Sequence, residues 1–135
     1  MKYFWTFRRF FLSFLGAAVL CACAHEPKVK VGFTVWDASL KIKQSLLECG
    51  AHDISNIRIS LEKNRKYLSD NEVATIERCM EKGGFFRKTI TTCQLLPDLP
   101  ACSIDAEIPA LNKATRLNGI YCKDAYRAGF PACQP

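Results

Sequence analysis

Six cysteines, Cys49, Cys79, Cys93, Cys102, Cys122 and Cys133, crowd into the last two-thirds of a chain of 135 residues. An even set at this density in so short a chain implies a disulfide framework, and such frameworks persist only in an oxidising compartment. The chain must therefore be exported and held by staples as well as by a core. Its length suits one small domain, and 49% hydrophobic against 24% charged residues is the balance of a globular protein. A multidomain enzyme, a coiled coil, a multispanning membrane protein and a collagen-like chain are excluded on these grounds. Spacing alone does not choose among the possible pairings. Cys49 and Cys79 each fall near the end of an amphipathic stretch, so the expected set joins sequence neighbours: Cys49–Cys79, Cys93–Cys102 and Cys122–Cys133.

Export is also written at the other end. Lys2, Arg8 and Arg9 precede an apolar run from Phe10 to Leu20, followed by Cys21-Ala22-Cys23-Ala24. Such a run spans about 16 Å as a helix, roughly half a bilayer core, which makes it a signal sequence and not a permanent span. Two cleavages compete. Leu20-Cys21-Ala22-Cys23 resembles a bacterial lipobox, with Cys21 in place of the usual small residue; that resemblance implies a signal peptide over 1–22, lipidation of Cys23 and a mature domain over 23–135, with 23–27 as tether. Alternatively Ala22-Cys23-Ala24 is an ordinary cleavage site, and a soluble periplasmic protein begins at His25. With lipid at Cys23 the chain is anchored to a membrane, and Ala24 lacks the acidic signal for inner-membrane retention, so the expected place is the outer membrane, facing the periplasm. The Arg8-Arg9-Phe10-Phe11-Leu12 run is similar to a twin-arginine core, but cysteines that must be oxidised before folding argue against that route.

Cleavage before Cys23 removes three of 19 basic side chains and none of 13 acidic ones, so the formal net charge falls from +6 to +3. Both signs are interspersed, no basic run stands out, and nucleic acid is not an expected partner. The charges read as a solvated surface.

Alternation from Lys28 to Trp36 (Val29, Val31, Phe33 and Val35 on one side) predicts a half-buried strand. Asp37 or Ser39 then caps a helix to about Glu48, with Ile42, Leu46 and Cys49 on one face and Gly50 as stop. Asn56–Glu62 alternates again and predicts a second strand. Ser69-Asp70-Asn71-Glu72 is a capping box opening a helix to about Lys82, with Val73, Ile76 and Met80 inward and Cys79 beside them. Gly83 or Gly84 ends it, Phe85 or Phe86 folds back, and Phe85–Cys93 predicts a third strand. Beyond, prolines punctuate short segments, and a helix is expected over Pro109–Leu117. The fold class expected is α+β, a small disulfide-stapled domain, with a mostly helical and irregular one as alternative.

Candidate chemistry is sparse. His25 and His52 have no His partner at ligand spacing and no C-x-x-C knuckle exists after residue 23, so no metal and no cofactor are expected. Glu72 with Glu77, or Asp105 with Glu107, are the only carboxylate pairs of interest; Glu72 reads as a cap, Glu77 as a surface helix residue and the other two as a loop. No catalytic residue is assigned. Trp36 is the binding candidate, against a buried tryptophan at a strand end.

From Trp36 onward the order of short pieces resembles a group of small, uncharacterised, cysteine-rich lipoproteins of Gram-negative bacteria. The pieces are Trp36 with Ser39, Leu46-Leu47-Glu48-Cys49-Gly50, Cys79-Met80-Glu81-Lys82 with Gly84-Phe85, Leu99-Pro100-Ala101-Cys102, Ile108-Pro109, Arg116-Leu117-Asn118 with Tyr121-Cys122, and Ala132-Cys133-Gln134-Pro135. The resemblance implies anchoring and disulfides and is silent on mechanism. The expected protein is a lipid-anchored envelope lipoprotein without catalytic activity, binding an envelope protein through its surface. An envelope inhibitor of the immunity, lysozyme-inhibitor or phage-exclusion kind is the alternative.

Overall fold

The computed structural model describes residues 31–33 and 39–135. Lipidation at Cys23, the cleavage site, Trp36 and both flanks of the first expected strand lie outside the described residues. Of that strand, Val31–Phe33 (β1) is present and pairs in parallel with Phe85–Arg87 (β2), Val31 opposite Phe85 and Phe33 opposite Arg87. Parallel strands need a long crossover. Two helices supply it.

Helix α1, Leu40–Glu48, begins where Ser39 Oγ accepts from the Ile42 amide at 3.4 Å. It ends in a Schellman motif: Ala51 N–H donates to Leu46 O at 3.0 Å and Gly50 N–H to Leu47 O at 3.1 Å. The motif needs a left-handed residue after the cap, and Gly50 has φ 91°. Helix α2, Asp70–Lys82, opens on the expected capping box: Glu72 N–H donates to Ser69 Oγ at 3.3 Å, and Glu72 Oε2 accepts from Ser69 N at 2.8 Å. Gly84, with φ 92°, turns the chain out of α2 and into β2.

The faces of α1 and α2 meet in a core of Ile42, Leu46, Val73, Ile76 and Met80, closed by Phe85 and by the Cys49–Cys79 disulfide. Leu47, one residue round from Leu46, faces the other way. It packs against Tyr121, Cys122, Ala132 and Cys133 in a second, smaller cluster. Helix α1 is thus covered on two sides, which its single expected stripe of Ile42, Leu46 and Cys49 does not anticipate.

Cys93–Cys102 and Cys122–Cys133 complete three disulfides between sequence neighbours. The fold is small, mixed and helix-rich, and strands contribute little to it. Asn56–Glu62 is not a strand. Its backbone groups go instead to Asp53 Oδ1, which accepts from Ser55 and Asn56, and to one antiparallel bridge, Ile59 with Tyr67. With no neighbouring strand to complete a ladder, side-chain acceptors win. The expected strand over Phe85–Cys93 stops at Arg87, because Thr92–Leu95 forms the short helix α3 and carries Cys93.

The expected helix at Pro109 starts later. Helix α4 is Lys113–Asn118, because Asn112 Oδ1 accepts from the Ala114 amide at 2.8 Å and so provides the cap. A one-turn helix α5, Ile120–Lys123, follows. Two 3-10 turns, Pro100–Cys102 and Pro131–Cys133, each place a proline at the start and a disulfide cysteine at the end. No helix among the described residues is long and apolar enough to cross a membrane.

Candidate functional site

The side of α2 turned away from α1 is polar, and it organises the segment after α3. Asn71, Arg78 and Lys82 fall on one face of the helix at spacings of seven and four. Asn71 Oδ1 accepts from Ala101 N at 2.8 Å, and the Arg78 guanidinium donates to Ala101 O and Ser103 O at 3.0 and 2.7 Å. Lys82 Nζ donates to Ile108 O at 3.0 Å. Both cations thus hold backbone carbonyls of this segment, Arg78 half-buried and Lys82 still exposed. The strapped segment runs alongside α2 and leaves a cleft of about 370 Å³ between them, lined by Glu77, Arg78, Glu81, Thr91, Ile104 and the Cys93–Cys102 disulfide.

Glu77 lines this cleft, and it is not a surface residue. Its side chain is 2% exposed and pairs with Arg87, itself 25% exposed. The other carboxylate oxygen accepts from Thr92 N–H at 2.6 Å, at the start of α3. The inward direction follows from helix geometry. Residue 77 is four beyond Val73 and three before Met80, both fully buried, so it shares their face. A carboxylate there is stable only with partners, and Arg87 and Thr92 lie ten and fifteen residues downstream. The pair joins α2, β2 and α3 in one contact. A charged residue reads as surface from the sequence, because the partners that make its burial possible lie outside the helix.

A second buried pair holds the C-terminus. Arg116 on α4 is buried and donates to Glu48 Oε1 of α1 at 3.1 Å, to Ala132 O at 2.8 Å and to Gln134 O at 2.6 Å. A guanidinium suits this, since its fixed fork reaches several acceptors at once. Nothing in the sequence reading singled out Arg116 as buried.

Three perturbed titrations have structural causes. The Ser69 hydroxyl and then the Arg65 guanidinium, 2.7 Å away, hold the Glu72 carboxyl down to about 2. The same contact with Glu72 raises Arg65. Burial and the nearby Asp53 charge push the Tyr121 phenol up, beneath the Arg127 guanidinium at 5.0 Å.

The weighed carboxylates do not form an acid–base pair. Glu72 is engaged at the start of α2 by Ser69 and Arg65, and Glu77 by Arg87 and Thr92. Asp105 and Glu107 are exposed on the strapped segment. His52 sits in a turn, its Nδ1 3.4 Å from the Leu61 amide that donates to it. Among the described residues no three His, Cys, Asp or Glu side chains cluster as metal ligands.

One exposed apolar side chain, Ile104, lines the cleft, and others lie elsewhere in the same stretch of chain. Ile104 is 91% exposed, Ile90 64% and Leu95 61%, with Leu96 beside Leu95. Compared with family models, curated proteins and solved structures, the chain matches none.

Proposed function

We propose that this is a lipid-anchored, non-catalytic binding module of the bacterial cell envelope, stapled by disulfides and acting through its surface. The observation that carries this reading is the pairing of all six cysteines of the described domain, Cys49–Cys79, Cys93–Cys102 and Cys122–Cys133. Such a set forms in an oxidising compartment, and the N-terminal segment reads as the export signal that takes the chain there. The lipobox resemblance at Leu20-Cys21-Ala22-Cys23 supplies the anchor, and the likeness to small Gram-negative lipoproteins agrees with it. Surface binding is supported by exposed apolar side chains, Ile104 on the cleft and Ile90 and Leu95 elsewhere in the same stretch. Catalysis is disfavoured because both oxygens of Glu77, the buried acid of the cleft, are already engaged, which leaves Glu81 without a second free carboxylate there.

The inhibitor-type reading gains one observation of its own. The short loop clamped by Cys93–Cys102 presents Leu95 and Leu96 to solvent, and a rigid apolar loop is suited to entering a partner's groove.

The test is the intact mass of the protein purified from its native envelope, with and without reduction and alkylation. A chain starting at Cys23 with a diacylglycerol and a further acyl group, unalkylated until reduced, is the expected result. A mass starting at His25 overturns anchoring, and alkylation before reduction overturns the disulfide framework.

A further inference from the structure

The three disulfides differ in how far solvent reaches them. Cys49–Cys79 lies in the core between α1 and α2, where Cys79 is fully buried. Cys122–Cys133 is buried in the second cluster with Tyr121 and Ala132. Cys93 and Cys102 are only half-buried, and both line the cleft beside α2. Exchange with an incoming thiolate depends on access, so this is the bridge of the three that is open to it. Its cysteines are also the closest in sequence, 9 residues apart against 11 and 30, and closing a short loop contributes least to stability.

What remains when the bridge opens is the second difference. Both of its ends are fastened to α2 by bonds that do not involve sulfur. Next to Cys93, Thr92 N–H donates to Glu77 Oε2 at 2.6 Å. On either side of Cys102, Ala101 N–H donates to Asn71 Oδ1 at 2.8 Å, and Arg78 donates to Ala101 O and Ser103 O at 3.0 and 2.7 Å. Asn71, Glu77 and Arg78 belong to one helix, itself held by the core and by Cys49–Cys79. Two thiols at these positions stay neighbours and can close again. We propose that Cys93–Cys102 is a reversible thiol–disulfide exchange site for a dithiol protein of the envelope, and that the domain keeps its fold with the bridge open or closed.

The site rests on the disulfide framework of the reading above and not on the anchor. A thiolate of the partner attacks one sulfur of the pair. A mixed disulfide forms, and the Cys93–Cys102 bond breaks with its electrons on the other sulfur. The partner's second thiolate then attacks the mixed disulfide and releases the remaining sulfur. The partner's dithiol is thereby oxidised to a disulfide, and Cys93 and Cys102 are reduced by two electrons. The two protons given up by the partner's thiols end on the released sulfurs. Arg78 lines the same cleft and offers positive charge to the leaving thiolate, with Glu77 neutralised by Arg87 and Glu81 opposing it. Opening the bridge leaves Leu95 and Leu96 on a loop without its covalent clamp, which loosens the apolar surface they present.

The test starts from the oxidised protein purified from its native envelope, incubated with graded dithiothreitol, quenched with N-ethylmaleimide and mapped by peptide mass. A species labelled only at Cys93 and Cys102 should accumulate, formed about tenfold faster than label at Cys49, Cys79, Cys122 or Cys133. That species should keep the hydrogen-exchange protection of α1 and α2 and regain the bridge in oxidised glutathione. A thioredoxin-like protein with its resolving cysteine replaced should be trapped as a mixed disulfide on Cys93 or Cys102. Arg78→Gln should slow reclosure several-fold, because Ala101 and Ser103 lose their donor, and leave the other two bridges as they were. Cys93→Ser with Cys102→Ser should fold and no longer trap the partner. All six labels appearing together, or another pair opening first, overturns the site while the disulfide framework stands. Loss of α2 protection in the doubly labelled species overturns it as well. Labelling of Cys49, Cys79, Cys122 and Cys133 before any reductant overturns the framework, and this site with it.

Discussion

Between Leu40 and Phe85 the large side chains withdrawn from solvent are mostly aliphatic: Leu46, Leu47, Val73, Ile76 and Met80. Between Thr92 and Pro135 no valine, leucine or isoleucine is buried. The buried set there is Thr92, Ala101, Arg116, Tyr121, Cys122, Ala132 and Cys133. The first region has a core and one disulfide, Cys49–Cys79; the second has two disulfides, a buried arginine and the polar strap from α2. A chain this short does not make two apolar cores, and it orders its second half with directional contacts. Such contacts position backbone where it would otherwise collapse inward. The segment from Thr89 to Asn112 accordingly turns only Ile108 and Leu111 toward the core and leaves Ile90, Leu95 and Ile104 exposed.

The comparison can be broken most directly at Arg116. Arg116→Ala leaves the Glu48 carboxylate and two carbonyls without their donor, at a cost of about 3 to 4 kcal/mol. Chemical denaturation should show that loss, and hydrogen exchange should place the new opening in 113–135 while α1 and α2 stay protected. Arg116→Lys should recover only part of it, because one ammonium does not reproduce the fork. Uniform loss of protection would mean that the two regions fold as one unit.

Glu77 tests the junction between the regions. Glu77→Gln keeps the volume and one acceptor for Thr92 N–H but removes the charge opposite Arg87, and should cost about 2 kcal/mol. Exchange should quicken at α3 before it does in α2. An unchanged stability would show that Arg87 is satisfied by solvent.

The smallest effect belongs to the cap of α2. Ser69→Ala should cost about 1 kcal/mol by calorimetry. It should also soften the acid response, since Ser69 is the main reason the Glu72 carboxyl lies near 2 and not at 4.5. A carboxyl depressed in the folded state adds stability above its unfolded pKa. That contribution fades as pH falls from 4.5 toward about 2. The stability difference between wild type and Glu72→Gln should therefore shrink through that window, and a pH-independent difference would contradict it.

What was legible in the sequence lies mainly in the first region. The capping box at Ser69, the stops at Gly50 and Gly84, and the stripe of Val73, Ile76 and Met80 are interactions among residues within a turn or two, so spacing alone reveals them. Joining sequence neighbours also reproduces the three disulfides, because each pair closes a short loop or joins the ends of packed helices. Asn56–Glu62 misled because alternation specifies a strand only where another strand lies beside it. Of the candidate site, Glu77 reads from the sequence as a surface residue because its partners Arg87 and Thr92 come only with the fold, and the cleft and the strap could not be read at all.

The sequence by itself determined where α2 begins, about where α1 and α2 end, and that six cysteines would pair. Only the tertiary structure decided that Glu77 and Arg116 are buried, that Arg78 and Lys82 hold backbone, and that Ile104 and Leu95 are left exposed. The physical reason is range. A cap or a helix stripe is satisfied by neighbours a few residues away, while Arg116 meets Glu48 across 68 residues of chain and Arg78 meets Ser103 across 25.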